Sequence, residues 1–253
     1  MRRIITLSSD FGLSDHYVGV MKGVILSINP EAQVVDISHE VPKYDVLRGA
    51  LLIQNSFAYF PKDTIHVVVV DPGVGTKRKP IIIESDLGTF VGPDNGVFTF
   101  ILEKQCNIYE ITNKDYMLQD ISSTFHGRDI FSPAAAHLSS GVSSDKFGDK
   151  VENPILLELP KPQLKENEII GEILYEDSFG NLISNIPASI MPDSCRILVG
   201  DTIIDTVVQS YQHGEIGEPL AIIGSSGYLE ISVNQGNAAN LIKEHKINVI
   251  LKP

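Results

Sequence analysis

Cysteine is scarce in this chain: Cys106 and Cys195 are the only two in 253 residues. They lie far apart and outside any CxxC pairing, which excludes a disulfide framework and a cysteine zinc site as readings. Two small buried hydrophobes are expected instead. Basic residues are also short, 20 against 32 acids, for a net charge of −12. So negative a surface repels phosphate backbones and anionic lipid, so no nucleic acid and no membrane is expected as a partner. It does not repel a cationic small molecule. No apolar run approaches the length of a membrane span. Met1-Arg2-Arg3 followed by Ile4 to Leu7 mimics a signal peptide, but the apolar stretch stops at Ser8-Ser9-Asp10, too short for an h-region. A cytoplasmic enzyme is therefore the default expectation. There is no internal repeat, no low-complexity segment, no GxGxxG, no GK[ST] and no HExxH. These absences argue against a Rossmann dinucleotide site, a Walker loop and a zincin helix.

What is present is enough apolar material, 43% of residues, for one large domain or two smaller ones. The first 155 or so residues alternate strand-like and helix-like patterns. Ile4 to Ser8 is a short β-branched run. Tyr17 to Ile28 carries apolar residues at helical spacing and stops at Asn29-Pro30. Gln33 to Ile37 reads as a strand, and Asp45 as the N-cap of a helix to about Tyr59. Ile65 to Val70 is the nearly continuous apolar run of a strand buried on both faces of a parallel sheet. Ile81 to Glu84 follows as another strand. Ser132-Pro133 reads as an N-cap and first helical residue. Strands alternating with helices predict a mostly parallel α/β domain.

Pro160 to Asn167 is polar with two prolines and reads as a linker. Beyond it, short strands (Ile169 to Tyr175, Asp201 to Val207, Leu220 to Ile223, Leu229 to Val233, Ile247 to Leu251) are separated by Gly, Asn and Ser turns. A small antiparallel barrel or sandwich is expected. The predicted organisation is an α/β domain over 1–157, a linker over 158–167 and a β-barrel domain over 168–253.

In open α/β sheets, ligands bind beyond the carboxyl ends of the strands. Two predicted strands end in an acid there: Ile4 to Ser8 runs into Ser9-Asp10-Phe11-Gly12, and Ile65 to Val70 into Asp71-Pro72-Gly73-Val74-Gly75-Thr76. One such acid would most simply cap a turn. Two of them, with a glycine-rich loop and then Arg78, point to a site. A third piece is Thr124 to Phe131, where His126 and Arg128 flank a glycine just before a helix; its bland alternative is a loop with an Arg128–Asp129 surface pair. The other six histidines form no metal-binding pattern and are expected to be structural or exposed. In the second half, Asp177 to Asn181, Ser225 to Tyr228 and Asn237 to Ala239 read as turns from spacing alone.

In combination, Ser9-Asp10-Phe11-Gly12, Tyr17 to Gly23, Asp71 to Thr76, Pro93-Asp94-Asn95-Gly96, Phe125 to Asp129 and Ser178 to Asn181 carry a resemblance over essentially the whole chain. It resembles the S-adenosylmethionine hydroxide adenosyltransferases, relatives of the fluorinating and chlorinating enzymes. The resemblance implies hydrolysis of S-adenosylmethionine to adenosine and methionine, no cofactor and no metal. It also implies a homotrimer whose active sites each join the first domain of one subunit to the second domain of its neighbour. The family's Asp–Arg–His set falls on Asp71, Arg78 and His126. The ribose-binding acid falls on Asp10, and the aromatic wall residue on Tyr44, where the halogenating relatives have tryptophan. Adenine-side contacts fall on Phe179, Asn181 and Ala238, and methionine-end positions on Asp177 and Ser226.

The fluorinating enzyme has Tyr at the position of Asp71 and Thr at that of Val74. A carboxylate at 71 repels a halide and accepts hydrogen bonds from water, and Val74 lacks the hydroxyl that would donate to a halide. Water is thus the expected nucleophile. A carboxylate paired with a guanidinium is a weak base, so Asp71 is expected to orient the water, with His126 as an alternative proton acceptor. Three rival readings are a metal-dependent hydrolase using Asp10, His16, Asp71 and His126, a non-catalytic sensor of the same ligand, and a halogenase-like enzyme.

Overall fold

The computed structural model describes residues 3–252. The chain divides into two compact units, Met1–Leu157 and Glu158–Pro253.

The first unit is built on a six-stranded sheet. Its elements are β1 (Ile4–Ser9), α1 (Tyr17–Ile28), β2 (Gln33–Ser38), α2 (Val46–Ser56), β3 (Ile65–Val69), β4 (Pro80–Ser85), β5 (Gly88–Pro93), α3 (Thr99–Leu102), β6 (Cys106–Glu110) and α4 (Ser132–Ser139). The strand order is β2-β1-β3-β5-β4-β6. β2, β1, β3 and β5 are parallel, and β4 runs against both its neighbours. Every residue of β3 is buried, because each face of the sheet carries its own apolar layer. Ile65, Val67 and Val69 pack with Met21 and Ile25 of α1 and with Ala134 to Ala136. Val68 points the other way, into a layer with Ile53 of α2, Phe90 and Phe98. Each such buried valine stabilises the unit by roughly 1.5–3 kcal/mol. This is the mostly parallel α/β sandwich expected from the sequence.

Local chemistry fixes the helix ends. Asp45 caps α2 by accepting from the Arg48 N–H at 2.9 Å. The start of α4 differs from expectation. Ser132 is not its cap, because a single π turn over Gly127–Phe131 runs straight into the helix. Ser132 lies inside, and both its N–H and its hydroxyl bond to the Gly127 carbonyl, the latter at 2.7 Å. Pro133 has no N–H for the Asp129 carbonyl. That carbonyl takes the Leu118 N–H instead, at 2.9 Å.

The second unit is antiparallel. It contains β7 (Gln163–Leu164), β8 (Glu168–Glu176), β9 (Leu182–Pro187), β10 (Cys195–Val199), β11 (Thr202–Ile204), β12 (Val207–Val208), β13 (Pro219–Ile223), β14 (Tyr228–Val233), α5 (Ala238–Leu241) and β15 (Lys246–Leu251). The order is β11-β10-β15-β8-β9-β14-β13-β12, with β7 added on β8. β11 also touches β13, so the sheet curls into a nearly closed, barrel-like form around one apolar core. Only the short β12–β13 pairing is parallel. Gln163–Leu164, inside the stretch read as a linker, pairs with β8.

Candidate active site

Register places the first two acids side by side. β1 and β3 are parallel neighbours with Ser9 opposite Val69, so Asp10 and the 71–78 loop leave the same edge of the sheet together. Asp10 is buried, and its Oδ2 accepts the Tyr44 N–H at 2.9 Å. Tyr44 takes a left-handed φ of 67° and leaves its ring exposed. The Lys43 ammonium donates to the Asp10 carbonyl.

The 71–78 loop is folded back on itself. The Val74 N–H bonds the Asp71 carbonyl at 3.2 Å, and both the N–H and the hydroxyl of Thr76 bond the Gly73 carbonyl. Gly75 has φ +75°, and a Cβ there would stand 2.2 Å from the Ser123 carbonyl, so only glycine fits. The reversal returns the Arg78 guanidinium to Asp71: Nε donates to Oδ1 at 2.9 Å and Nη2 to Oδ2. Both side chains are nearly buried. Arg78 also lies over the Phe131 ring, 5.2 Å from its centroid.

His126 joins them from the residue before the π turn. Arg78 Nη2 lies 2.8 Å from His126 Nδ1. A guanidinium has only donors, so Nδ1 offers its lone pair and the ring proton of neutral His126 sits on Nε2. Burial, and then the Arg78 charge, push the His126 pKa below its ordinary 6.5 against the opposing pull of Asp71 and Asp129. The neutral imidazole is therefore the stable form at neutral pH.

Asp10, Tyr44, Asp71, Val74 and His126 line one cleft of about 270 Å³, together with Asp15, Lys43 and Phe125. Arg78 is not on its wall. It stands behind Asp71 and His126 and holds both. Its Nη1 is buried with no hydrogen-bond partner among the described residues.

Two residues that the sequence showed only inside a motif clamp this loop at its ends. The Asn95 side chain donates to the Val70 carbonyl at 2.9 Å, just before Asp71. The Asp94 N–H donates to the Lys79 carbonyl at 2.8 Å, just after Arg78. The Asp94 carboxyl is pushed up by burial, which outweighs its hydrogen bond from the Ile155 N–H. The Arg128–Asp129 pair is not a surface pair: Asp129 is fully buried and also accepts the Ser122 N–H at 2.8 Å, which shapes the approach to His126. His66, one of the histidines set aside, is a core residue pushed down to about 4 by burial. Among the described residues, no three His, Cys, Asp or Glu side chains cluster closely enough to hold a metal ion. No helix there is long and apolar enough to cross a membrane.

In the second unit, Phe179 and Asn181 line a separate pocket of about 500 Å³ with Tyr211, Asn234 and Gln235. The Asp177 carboxylate is committed to its own turn, accepting from the Phe179 and Asn181 N–H groups and from Asn181 Nδ2 at 3.0 Å. That bond leaves the Asn181 carbonyl oxygen as an acceptor. Ala238 is fully buried at the start of α5 and does not line this pocket, although the Ala239 N–H bonds the Gly180 carbonyl beside Asn181. Ser226 sits in the turn between β13 and β14, also outside it. Tyr211 and Gln235 were not singled out from the sequence. Nothing in the composition around Tyr211 marks it, whereas Gln235 carries a left-handed φ of 53° that only the structure reveals.

Comparison with known families decides the affiliation. Residues 5–148 match the SAM hydroxide adenosyltransferase N-terminal domain, and residues 171–247 the C-terminal domain of the same family. The chain belongs to the SAM hydroxide adenosyltransferase family. An (R)-S-adenosyl-L-methionine hydrolase of Salinispora tropica is 36% identical, over 94% of this chain and 93% of that protein. A fluorinase of an Actinoplanes species is 26% identical, over 91% of each. Among solved structures, an uncharacterized conserved protein from Thermotoga maritima superposes with a TM-score of 0.90 at 37% identity, covering 97% of this chain and 99% of its own.

Proposed function

We propose that the chain hydrolyses S-adenosyl-L-methionine to adenosine and methionine, taking the (R) form that its relatives' names specify. The carrying observation is the Asp71–Arg78–His126 assembly opening on a cleft beside Asp10. Water attacks the ribose 5′ carbon in line with the carbon–sulfur bond. The new carbon–oxygen bond forms as the old bond breaks, and sulfur keeps the electron pair and leaves as a neutral thioether. The leaving group needs no acid, and the reaction needs no cofactor. Holding the water and the sulfonium in line is worth roughly 7–11 kcal/mol when the geometry is good.

The trio divides its roles by donor and acceptor capacity. Arg78 only donates, and it engages the His126 Nδ1 lone pair, which favours Asp71 over His126 as the proton acceptor. Asp71 then takes the proton that the water gives up as its oxygen bonds the 5′ carbon, since each carboxylate oxygen keeps a lone pair beyond the one Arg78 uses. His126 Nε2–H donates to the same water oxygen, which turns hydroxide-like as Asp71 draws its proton away. Val74, with no hydroxyl, offers a halide nothing, which supports water as the nucleophile. Asp10, with two oxygens, suits the two ribose hydroxyls, with Tyr44 beside it. Phe179 and Asn181, in their own pocket, suit the adenine ring.

The same reading extends to a homotrimer in which the cleft of one subunit's first unit meets a neighbour's second-unit pocket. The exposed rings of Tyr44 and Phe179 support it, at 71% and 76% of full exposure, an unusual state for aromatics that line pockets.

The test is to incubate the protein with each sulfonium epimer separately in oxygen-labelled water. Adenosine and methionine are expected from the (R) form, with label in the 5′-hydroxyl. Asp71→Asn should slow this by roughly 10²–10⁴-fold. Intact substrate in the wild-type reaction, or unlabelled adenosine, overturns the proposal.

A further inference from the structure

Beneath Asp10 lies a chain of side chains that the reaction above does not use. His39 follows β2 and is almost fully buried. Its Nδ1 lies 2.7 Å from the Ser9 hydroxyl, and its Nε2 lies 3.1 Å from Asp36 Oδ1. The Lys22 ammonium meets the other Asp36 oxygen at 2.5 Å. Ser9, His39 and Asp36 thus make a Ser–His–Asp set, but not a nucleophilic one. The serine is fully buried and reaches no cleft. The ring nitrogens are also exchanged: in a hydrolytic triad the serine meets Nε2 and the carboxylate meets Nδ1.

A carboxylate only accepts, so the ring proton of His39 sits on Nε2, facing Asp36 without the alignment of a full hydrogen bond, and Nδ1 accepts the Ser9 O–H. The Ser9 oxygen in turn accepts the Phe11 N–H at 3.3 Å. Backbone bonds extend the join between the two loops: Gly12 N–H to the His39 carbonyl at 2.7 Å, and Val41 N–H to the Ser9 carbonyl at 3.3 Å. Asp10 sits between Ser9 and Phe11, and its carboxylate is met by the Tyr44 N–H from the far end of the His39 loop.

We propose that His39 is a positioning residue for ribose recognition: braced on Asp36 and Lys22, it locks Ser9 and so sets the aim of the Asp10 carboxylate and the seat of Tyr44. This rests on the reading of Asp10 as the ribose-binding acid. His39 touches no substrate. Its effect is felt only by ligands that carry the hydroxyls Asp10 receives.

That dependence supplies the test. Calorimetric titration of the full chain compares adenosine with 2′,3′-dideoxyadenosine for wild type, Ser9→Ala, His39→Ala, His39→Asn and His39→Gln, with thermal melts to confirm folding. Wild type should prefer adenosine. His39→Ala and Ser9→Ala should weaken adenosine by about tenfold, the effect of misaligning a hydrogen bond to a charged group. Dideoxyadenosine should change less than about twofold. His39→Asn, whose amide falls near Nδ1, should restore more of the preference than His39→Gln, which reaches toward Asp36 instead. Equal loss for both ligands, or a preference that survives in both Ser9→Ala and His39→Ala, overturns the positioning role while leaving the ribose reading of Asp10 intact. Equal binding of the two ligands by wild type overturns that reading and the proposal with it.

Discussion

His126 shows how much a single atom's partner decides. Bonded through Nδ1 to a permanent cation, it is a fixed donor through Nε2. Glutamine can place an amide N–H near Nε2, whereas alanine cannot, so His126→Gln is expected to keep at least tenfold more kcat than His126→Ala, measured by adenosine release. The pH profile follows from the direction of the shift. Because the folded pKa lies below 6.5, the neutral donor survives as pH falls through that ordinary value, and activity should decline only further into acid. A profile that already breaks above pH 6.5 in wild type, or the same acid limb in His126→Gln, would contradict this assignment. Asp71, Arg78 and His126 were all readable in the sequence as an acid at a strand end, a cation past a glycine loop and a histidine before a helix. Their division of labour was not. A sequence carries no depth, so nothing showed that Arg78 stands behind the other two, or that Asp129 is buried and not on the surface.

At the scale of elements, strand ends and turns build the site. The Ser9–Val69 register brings the two acids together, and Asn95 and Asp94 clamp the 71–78 loop at both ends. Gly75 is the tightest point of that loop. Gly75→Ala must relieve both a positive φ and a 2.2 Å contact with Ser123, at a cost of about 1–3 kcal/mol. Since Ser123 lies three residues before His126, the expected outcome is a lowered melting temperature with a disproportionate loss of kcat. A variant that melts like wild type and turns over normally would show that the loop does not need this turn.

The elements seen from sequence were those with a clear period or cap, such as α1, α2 and β3. β5 and β9 were not. Gly92 in β5 looks like a turn residue, yet a Cβ there would stand 2.4 Å from the Val68 carbonyl of the neighbouring strand. β9 is buried along nearly its whole length, but Ser184 and Asn185 interrupt its apolar pattern. Their polar atoms are satisfied by the Leu229 and Pro160 carbonyls, partners no local window contains.

At the scale of the whole molecule, the fold class was legible because periodicity changes character between the two units, from alternating strands and helices to short strands with turns. Assembly was legible only through the family resemblance, since exposure of Tyr44 and Phe179 is a property of the folded chain. If each site draws on two subunits, lesions in different units should complement. Asp71→Asn and Asn181→Ala chains, each nearly inactive, should recover about a quarter of wild-type activity when co-assembled at equal ratio, because one site in four then receives both intact halves. No recovery in co-purified mixed assemblies would place both halves in one chain.

The acid-rich cleft has a further consequence on the hydrolase reading. Asp10, Asp15 and Asp71 line it against Lys43, in a chain of net charge −12. That field favours a sulfonium on arrival. Once the carbon–sulfur bond is cut, the sulfur is a neutral thioether and adenosine carries no charge. The attraction that filled the cleft is spent in the reaction itself, so the products leave a site that no longer holds them by charge.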